Sequence, residues 1–240
     1  EFDAAYRLAD LLVFETDVAA LQSPQTRQKL MAGALYADGS TIDRHLSAET
    51  YGLLAEYCAD NGVPVDSFKR FRPPMVAVSL VMMELMKAGV TSEGVELNFH
   101  RRAGQDSKAC KFLETVDEQI NCLLEMGKGN EDALIAYTIR DIKKTEACFN
   151  DIIAAWKAGD ADRLHTLMNQ ELREMPGLYN QLLVERNRKW LPNIEAFQAT
   201  PQKELILVGA AHLVGPDGLL ETLRQKGCRI EKVEAAPPAE

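Results

Sequence analysis

The chain has little with which to hold nucleic acid, a bilayer or a disulfide scaffold. Its five cysteines, Cys58, Cys110, Cys122, Cys148 and Cys228, include no C-x-x-C pair. That odd, scattered set fits neither a zinc ribbon nor a disulfide framework, and buried free thiols are the expectation. Basic residues are in deficit. The formal net charge is -9, whereas a nucleic-acid surface needs clustered Lys and Arg to displace counterions from phosphates. One basic run, Lys69-Arg70-Phe71-Arg72, is short, precedes a proline pair and reads as a solvated turn. The most apolar stretch, Met75 to Met86, is interrupted by Ser79 and Glu84 and falls well short of the roughly 20 residues a bilayer requires, so it reads as a buried core helix. No charged-then-apolar leader opens the sequence, which begins on Glu1 rather than Met; a segment cut away upstream leaves export open.

What is present is the composition of a folded domain. With 240 residues, 46% of them hydrophobic and 26% charged, the chain can bury a substantial core as one domain or as one domain with a large insertion. Leu11-Leu12-Val13-Phe14 is a continuous apolar run suited to a buried strand, preceded by helical spacing over Phe2 to Asp10. Helices are expected over Gln25 to Tyr36, over Leu46 to Asn61 behind a Ser47-Ala48-Glu49-Thr50 cap region, and from Pro73-Pro74 to Ala88-Gly89, with a turn at residues 37–40. The chain reads as irregular around Gly94. Lys108 to Leu113 resembles a short strand with acidic residues at its exit, and Asp117 opens a helix through Leu124.

Ile135, Ile139, Ile142, Phe149, Ile153 and Trp156 mark the apolar stripe of a long helix over about Asp132 to Lys157. Helices over Asp162 to Glu174 and Leu178 to Phe197 follow. Leu205 to Val208 reads as a strand, Gly218 to Lys226 as a helix, Cys228 to Val233 as a strand alternating in polarity, and residues 235–240 as a disordered tail. The pattern predicts a helix-rich α/β fold. A small, mostly parallel sheet is formed by the two chain ends and a central strand, in a single domain over 1–234 with a covering helical insertion at about 23–200. The closing strand–turn–helix–strand unit and the opening helix–strand unit are open to two readings, a decayed internal repeat or a coincidence of common α/β pieces.

The strand exits carry the candidate chemistry. Gly209 allows a sharp turn after the strand at 205–208, so that His212 emerges at the carboxyl end of a sheet, where open α/β folds place ligands. A neutral imidazole there can bind metal or move a proton, though a lone His is more often a satisfied structural residue. Glu15 and Glu114 each follow an apolar strand and so reach the same edge. Two carboxylates and an imidazole suit a divalent metal such as zinc or manganese, while capping of the next helix is the plainer role for each Glu. Arg186, beside Asn187 on a helix, offers a planar fork for a carboxylate or an oxyanion; Arg188 and Lys189 read as ordinary exposed residues.

The run from Leu207 to Gly227, containing Gly209-Ala210-Ala211-His212, resembles the C-terminal signature of the TraB/PrgY/GumN family, to which the Tiki metalloproteases are related. Four further stretches resemble that family in order: Ala9 to Asp17; Gly94 to Phe99; Leu113-Glu114-Thr115 through Glu118-Gln119; and Trp156 to Asp160 followed by Arg186-Asn187 and Trp190. The resemblance implies a hydrolase-like site of two G-x-x-H motifs, a strand-end glutamate and an arginine, with a divalent metal (Mn, Co or Zn). By position, His212 and Glu15 are its metal ligands, Arg186 and Glu114 its catalytic residues, and Gly209, Gln119 and Asn187 further motif positions. The first G-x-x-H belongs upstream of Glu1. His45, His100 and His165 do not supply it.

The expectation is therefore a metal-dependent hydrolase-like protein acting on peptide bonds or a small-molecule substrate, with one metal-binding motif missing from this chain. The resemblance favours export to the periplasm or cell envelope. A non-catalytic protein that sequesters a peptide or small ligand, and a degenerate scaffold, are the alternatives.

Overall fold

A computed structural model of the chain describes residues 1–91 and 93–233, the side chains of 143–147 apart. The expected tail at 235–240 lies outside the described residues. The backbone divides into two compact units, one of residues 1–19, 93–116 and 152–240 and the other of residues 20–92 and 117–151.

The first unit holds a three-stranded parallel sheet of β1 (Leu11–Phe14), β2 (Ala109–Phe112) and β3 (Glu204–Leu207) in the order β2-β1-β3. Leu11 aligns with Ala109 on one side and Glu204 on the other, and Phe14 with Phe112 and Leu207, so all three strands end level. The central strand explains its own sequence. A parallel strand covered on both faces needs an unbroken apolar run, and all four residues of β1 are buried. Because side chains alternate across the pleat, Leu11 and Val13 join Trp190, Ile194, Phe197 and Leu219 on one face. Leu12 and Phe14 join Tyr6, Phe99, Ala103 and Leu207 on the other. The helices Glu185–Gln198 and Leu219–Gln225 thus cover one face, and Phe2–Leu8 and Val95–Gln105 the other.

The second unit is helical, with Pro24–Ala34, Ala48–Asp60 and Pro73–Lys87 close to their expected limits. Ser23 and Ser47 cap two of these helices by accepting from the backbone N–H groups of Thr26 and Thr50 at 3.2 Å. Pro73 and Pro74 open the third, where a missing N–H costs nothing. No described helix is long and apolar enough to cross a membrane.

Several expectations are corrected. The segment after Gly94 is a regular helix, Val95–Gln105. Only Phe99 and Ala103 of it are buried, and so sparse a stripe is easily missed. Cys228 to Val233 forms no strand among the described residues: its alternate residues are exposed, Val233 to 77%, and they find no face to bury. The repeat reading loses the element it was matched on. The helix expected over 162–174 is subdivided into Ala161–Met168 and a 3-10 turn at Leu172–Glu174; the one expected over 178–197 is present and runs without a break through Pro176–Tyr179, a π turn at Asn180–Val184 and Glu185–Gln198. Trp156, on the expected apolar stripe, is 42% exposed. All five cysteines are free, but only Cys58 is buried.

If β1 is the shared wall of both cores, Leu12→Ala, at a fully buried position, will lower unfolding stability by about 2–5 kcal/mol. Chemical denaturation measures this, and the exposed Leu8→Ala serves as the near-neutral reference.

Candidate functional site

Level strand ends put three chain exits side by side. Glu15 follows β1, Glu114 lies two residues beyond β2, and Gly209 lies two beyond β3. The backbone ties them together. The Glu114 N–H donates to the Glu15 carbonyl at 2.8 Å, and the Gly209 N–H donates to Glu15 Oε1 at 2.7 Å. A Cβ at position 209 would stand 3.3 Å from that carboxylate oxygen, so glycine gives the main chain its easiest approach. The single helical turn Ala210–Leu213 then lifts His212 over the sheet edge, where it is buried.

The opposite wall is the helix Glu185–Gln198, whose Arg186, Asn187 and Trp190 share one face. Arg186 uses all five of its N–H groups. Nε donates to Glu114 Oε2 at 3.1 Å, and Nη2 donates to Glu114 Oε1 at 2.7 Å and Glu15 Oε2 at 2.6 Å. Nη1 reaches His212 Nε2 at 2.9 Å and the Leu182 carbonyl at 3.4 Å. Its guanidinium lies 4.7 Å from the centre of the Trp190 ring. Burial works against the charge, but hydrogen bonding to Glu114 and the Glu15 and Glu114 charges outweigh it and hold the Arg186 pKa above its ordinary value.

Asn187 settles the state of His212. The Asn187 Nδ2 group donates to the carbonyls of His212 at 3.2 Å and Asp217 at 3.0 Å, which leaves Oδ1 facing His212 Nδ1 at 2.7 Å as an acceptor. Arg186 can only donate. The imidazole must therefore be neutral, with its proton on Nδ1 and its Nε2 lone pair turned to the guanidinium. Burial pushes its pKa down to about 4, against the pull of the Glu15 carboxylate and with help from the Arg186 charge. The Trp190 ring packs 4.4 Å from the imidazole, and Trp190 Nε1 donates to Glu114 Oε2 at 3.1 Å.

Glu15, Glu114, Gly209 and His212 thus lie at one edge as the strand exits suggest, and Arg186 and Asn187 reach them from the helix Glu185–Gln198. Gln119 belongs to the other unit, in the helix Val116–Leu124, where its Oε1 is buried and finds no hydrogen-bond partner among the described residues. His45 stacks on Tyr36, His100 packs against Phe14, and His165 lies against Gly215. Two contributors escape sequence reasoning. Trp190 reads as a motif position without a role, and Asn169 reads as nothing at all. Buried Asn169 donates to the Ala211 and Val214 carbonyls at 2.9 and 3.4 Å, holding the turn that carries His212.

The donor set does not fit a metal as it stands. Among the described residues no group of three or more His, Cys, Asp or Glu side chains is placed to hold one. The two expected ligands, His212 Nε2 and the Glu15 carboxylate, both spend their lone pairs on a cation already in the chain.

In comparisons with known proteins, a family model described as TraB/PrgY/gumN family matches residues 1–232. No curated protein and no solved structure matches the chain.

Two titrations check the electronic state of His212. Its folded pKa of about 4 lies below the ordinary 6.5, so between those values the unfolded chain takes the proton first. This group's stability contribution is complete above pH 6.5, falls as the pH drops towards 4, and changes no further below that. The Asn187→Asp variant places a carboxylate on the Nδ1 proton and will raise the His212 midpoint, read by NMR of the ring; an unchanged midpoint would refute the tautomer assigned above.

Proposed function

This chain belongs to the TraB/PrgY/gumN family, and on that premise we propose that it is a hydrolase-like protein acting on peptide bonds, with the Glu15–Glu114–Arg186–His212 cluster as its reactive centre. The observation that carries the reading is the convergence of all three strand exits on one guanidinium, at the sheet edge where α/β folds bind ligands. Arg186 is the electrophilic group in this proposal. A substrate carbonyl takes over the N–H now directed 3.4 Å to the Leu182 carbonyl, the longest of its polar contacts in the cluster. A developing oxyanion gains more from a charged donor than the neutral peptide oxygen it displaces.

Glu15 is the base. Its side chain is 18% exposed against 7% for Glu114, so it has the better access to an attacking water. It accepts the water's proton as the oxygen bonds to the carbonyl carbon, then delivers that proton to the departing amine as the C–N bond breaks. Glu114, bound in a fork to Arg186, keeps the guanidinium oriented. His212 is neutral at pH 7, with its Nε2 lone pair turned to the guanidinium, and serves as the acceptor that steadies Nη1.

A second reading is favoured by the completeness of the network. With all five Arg186 N–H groups and both His212 nitrogens engaged, the cluster also suits a protein that holds a peptide without cutting it. Mass spectrometry of a mixed peptide library incubated with the protein, with and without Mn²⁺, Co²⁺ or Zn²⁺, separates the two. Hydrolysis yields new peptide termini that are lost in Glu15→Gln. Peptides retained intact would overturn the hydrolytic proposal and support sequestration.

A further inference from the structure

We infer that Arg186 is a resident counter-cation that occupies the position a divalent metal would take, so that metal and guanidinium are alternative occupants of one set of acceptors. This deepens the hydrolase-like reading, on which it rests only in taking this cluster as the site. The acceptors around the guanidinium are those a hard or borderline metal ion would choose: the Glu15 carboxylate at 2.6 Å, the Glu114 carboxylate at 2.7 and 3.1 Å, and the His212 Nε2 lone pair at 2.9 Å. His212 is already in the tautomer a ligand needs, with its other nitrogen hydrogen-bonded to Asn187 at 2.7 Å in the manner of an outer-shell partner. What opposes a metal is the charge in its place.

Electrostatics sets the competition. Two carboxylates and one guanidinium leave the cluster with a single negative charge, which a divalent ion entering beside Arg186 would turn positive in a largely buried site. Entry therefore requires the guanidinium to leave. The side chain is 15% exposed. Its anchoring helix begins directly after the π turn Asn180–Val184, an irregular turn whose Leu182 carbonyl makes the longest of the Arg186 contacts. The hydrogen-bonding of Arg186 is thus a latch on the acceptors. Replacing the guanidinium by a neutral side chain frees them.

The test is Mn²⁺ binding, followed by electron paramagnetic resonance and calorimetry, on the full chain and its variants. Arg186→Gln is expected to bind one Mn²⁺ at least about tenfold more tightly than the parent, because a positive charge in direct contact with the acceptors is gone. Arg186→Lys, which keeps the charge, is expected to stay at the parent affinity. Adding His212→Ala to Arg186→Gln is expected to abolish the gain, which separates this site from the acidic surface. Should Arg186→Gln fail to fold, Arg186→Met, equally uncharged and close to the arginine stem in length, carries the same expectation. Equal Mn²⁺ affinity in the parent and in the folded neutral variants would overturn the inference, as would a gain that survives loss of His212. Failure of the hydrolytic proposal is read separately, from peptides that stay intact whatever the metal affinities.

Discussion

One guanidinium holds the carboxyl edge of the sheet together. Arg186 binds the carboxylate that leaves β1, the carboxylate that follows β2, and the imidazole that follows β3. Without it, two largely buried carboxylates would face one another with no charge between them. Removing one member of such a buried set typically costs about 3–5 kcal/mol, because the partners are left charged and unsolvated. The arrangement is therefore a structural joint as well as a candidate reactive centre. Position 209 adds to the joint: its N–H fixes Glu15, and a Cβ there would stand tight against the same carboxylate.

Much of the fold was legible because its physical causes are local. An apolar run with no polar interruption, Leu11 to Phe14, suits a strand buried on both faces, and it is the centre of the sheet. The Ser47 cap region and the Pro73-Pro74 pair marked helix starts because capping and proline geometry act within a turn of the residue itself. The failures have tertiary causes. Val95–Gln105 is helical with two buried residues, since its neighbours Tyr6 and β1 supply the rest of the apolar surface. Cys228 to Val233 has strand-like alternation, but alternation makes a strand only where an edge and a core await it.

For the site, the sequence located the parts and left their terms of engagement unread. Strand exits identify Glu15, Glu114 and Gly209 as neighbours, and residue chemistry nominates Arg186 and His212. The same residue types suit a metal and a guanidinium equally well, because both are cations seeking oxygen and nitrogen lone pairs. Which cation is present is a matter of distances and of one helix's rotation, and no spacing rule records it. Asn169 was illegible for a similar reason: its work is done on the carbonyls of Ala211 and Val214, more than forty residues away.

The state of His212 traces to two consecutive residues. Arg186 and Asn187 meet Nε2 and Nδ1 of the same ring, so the helix clasps the imidazole with a cationic donor on one side and an amide acceptor on the other. Such a clasp admits only the neutral ring with Nδ1 protonated, and burial reinforces it. Its accuracy depends on the register in which the helix Glu185–Gln198 presents those two side chains. A one-residue slip turns each of them by about 100°. That register is set immediately upstream, where the π turn Asn180–Val184 accommodates more residues than an α turn would. The irregularity in the helix is thus coupled to the chemistry: it decides which face carries Arg186 and Asn187, and through them the charge and tautomer of His212.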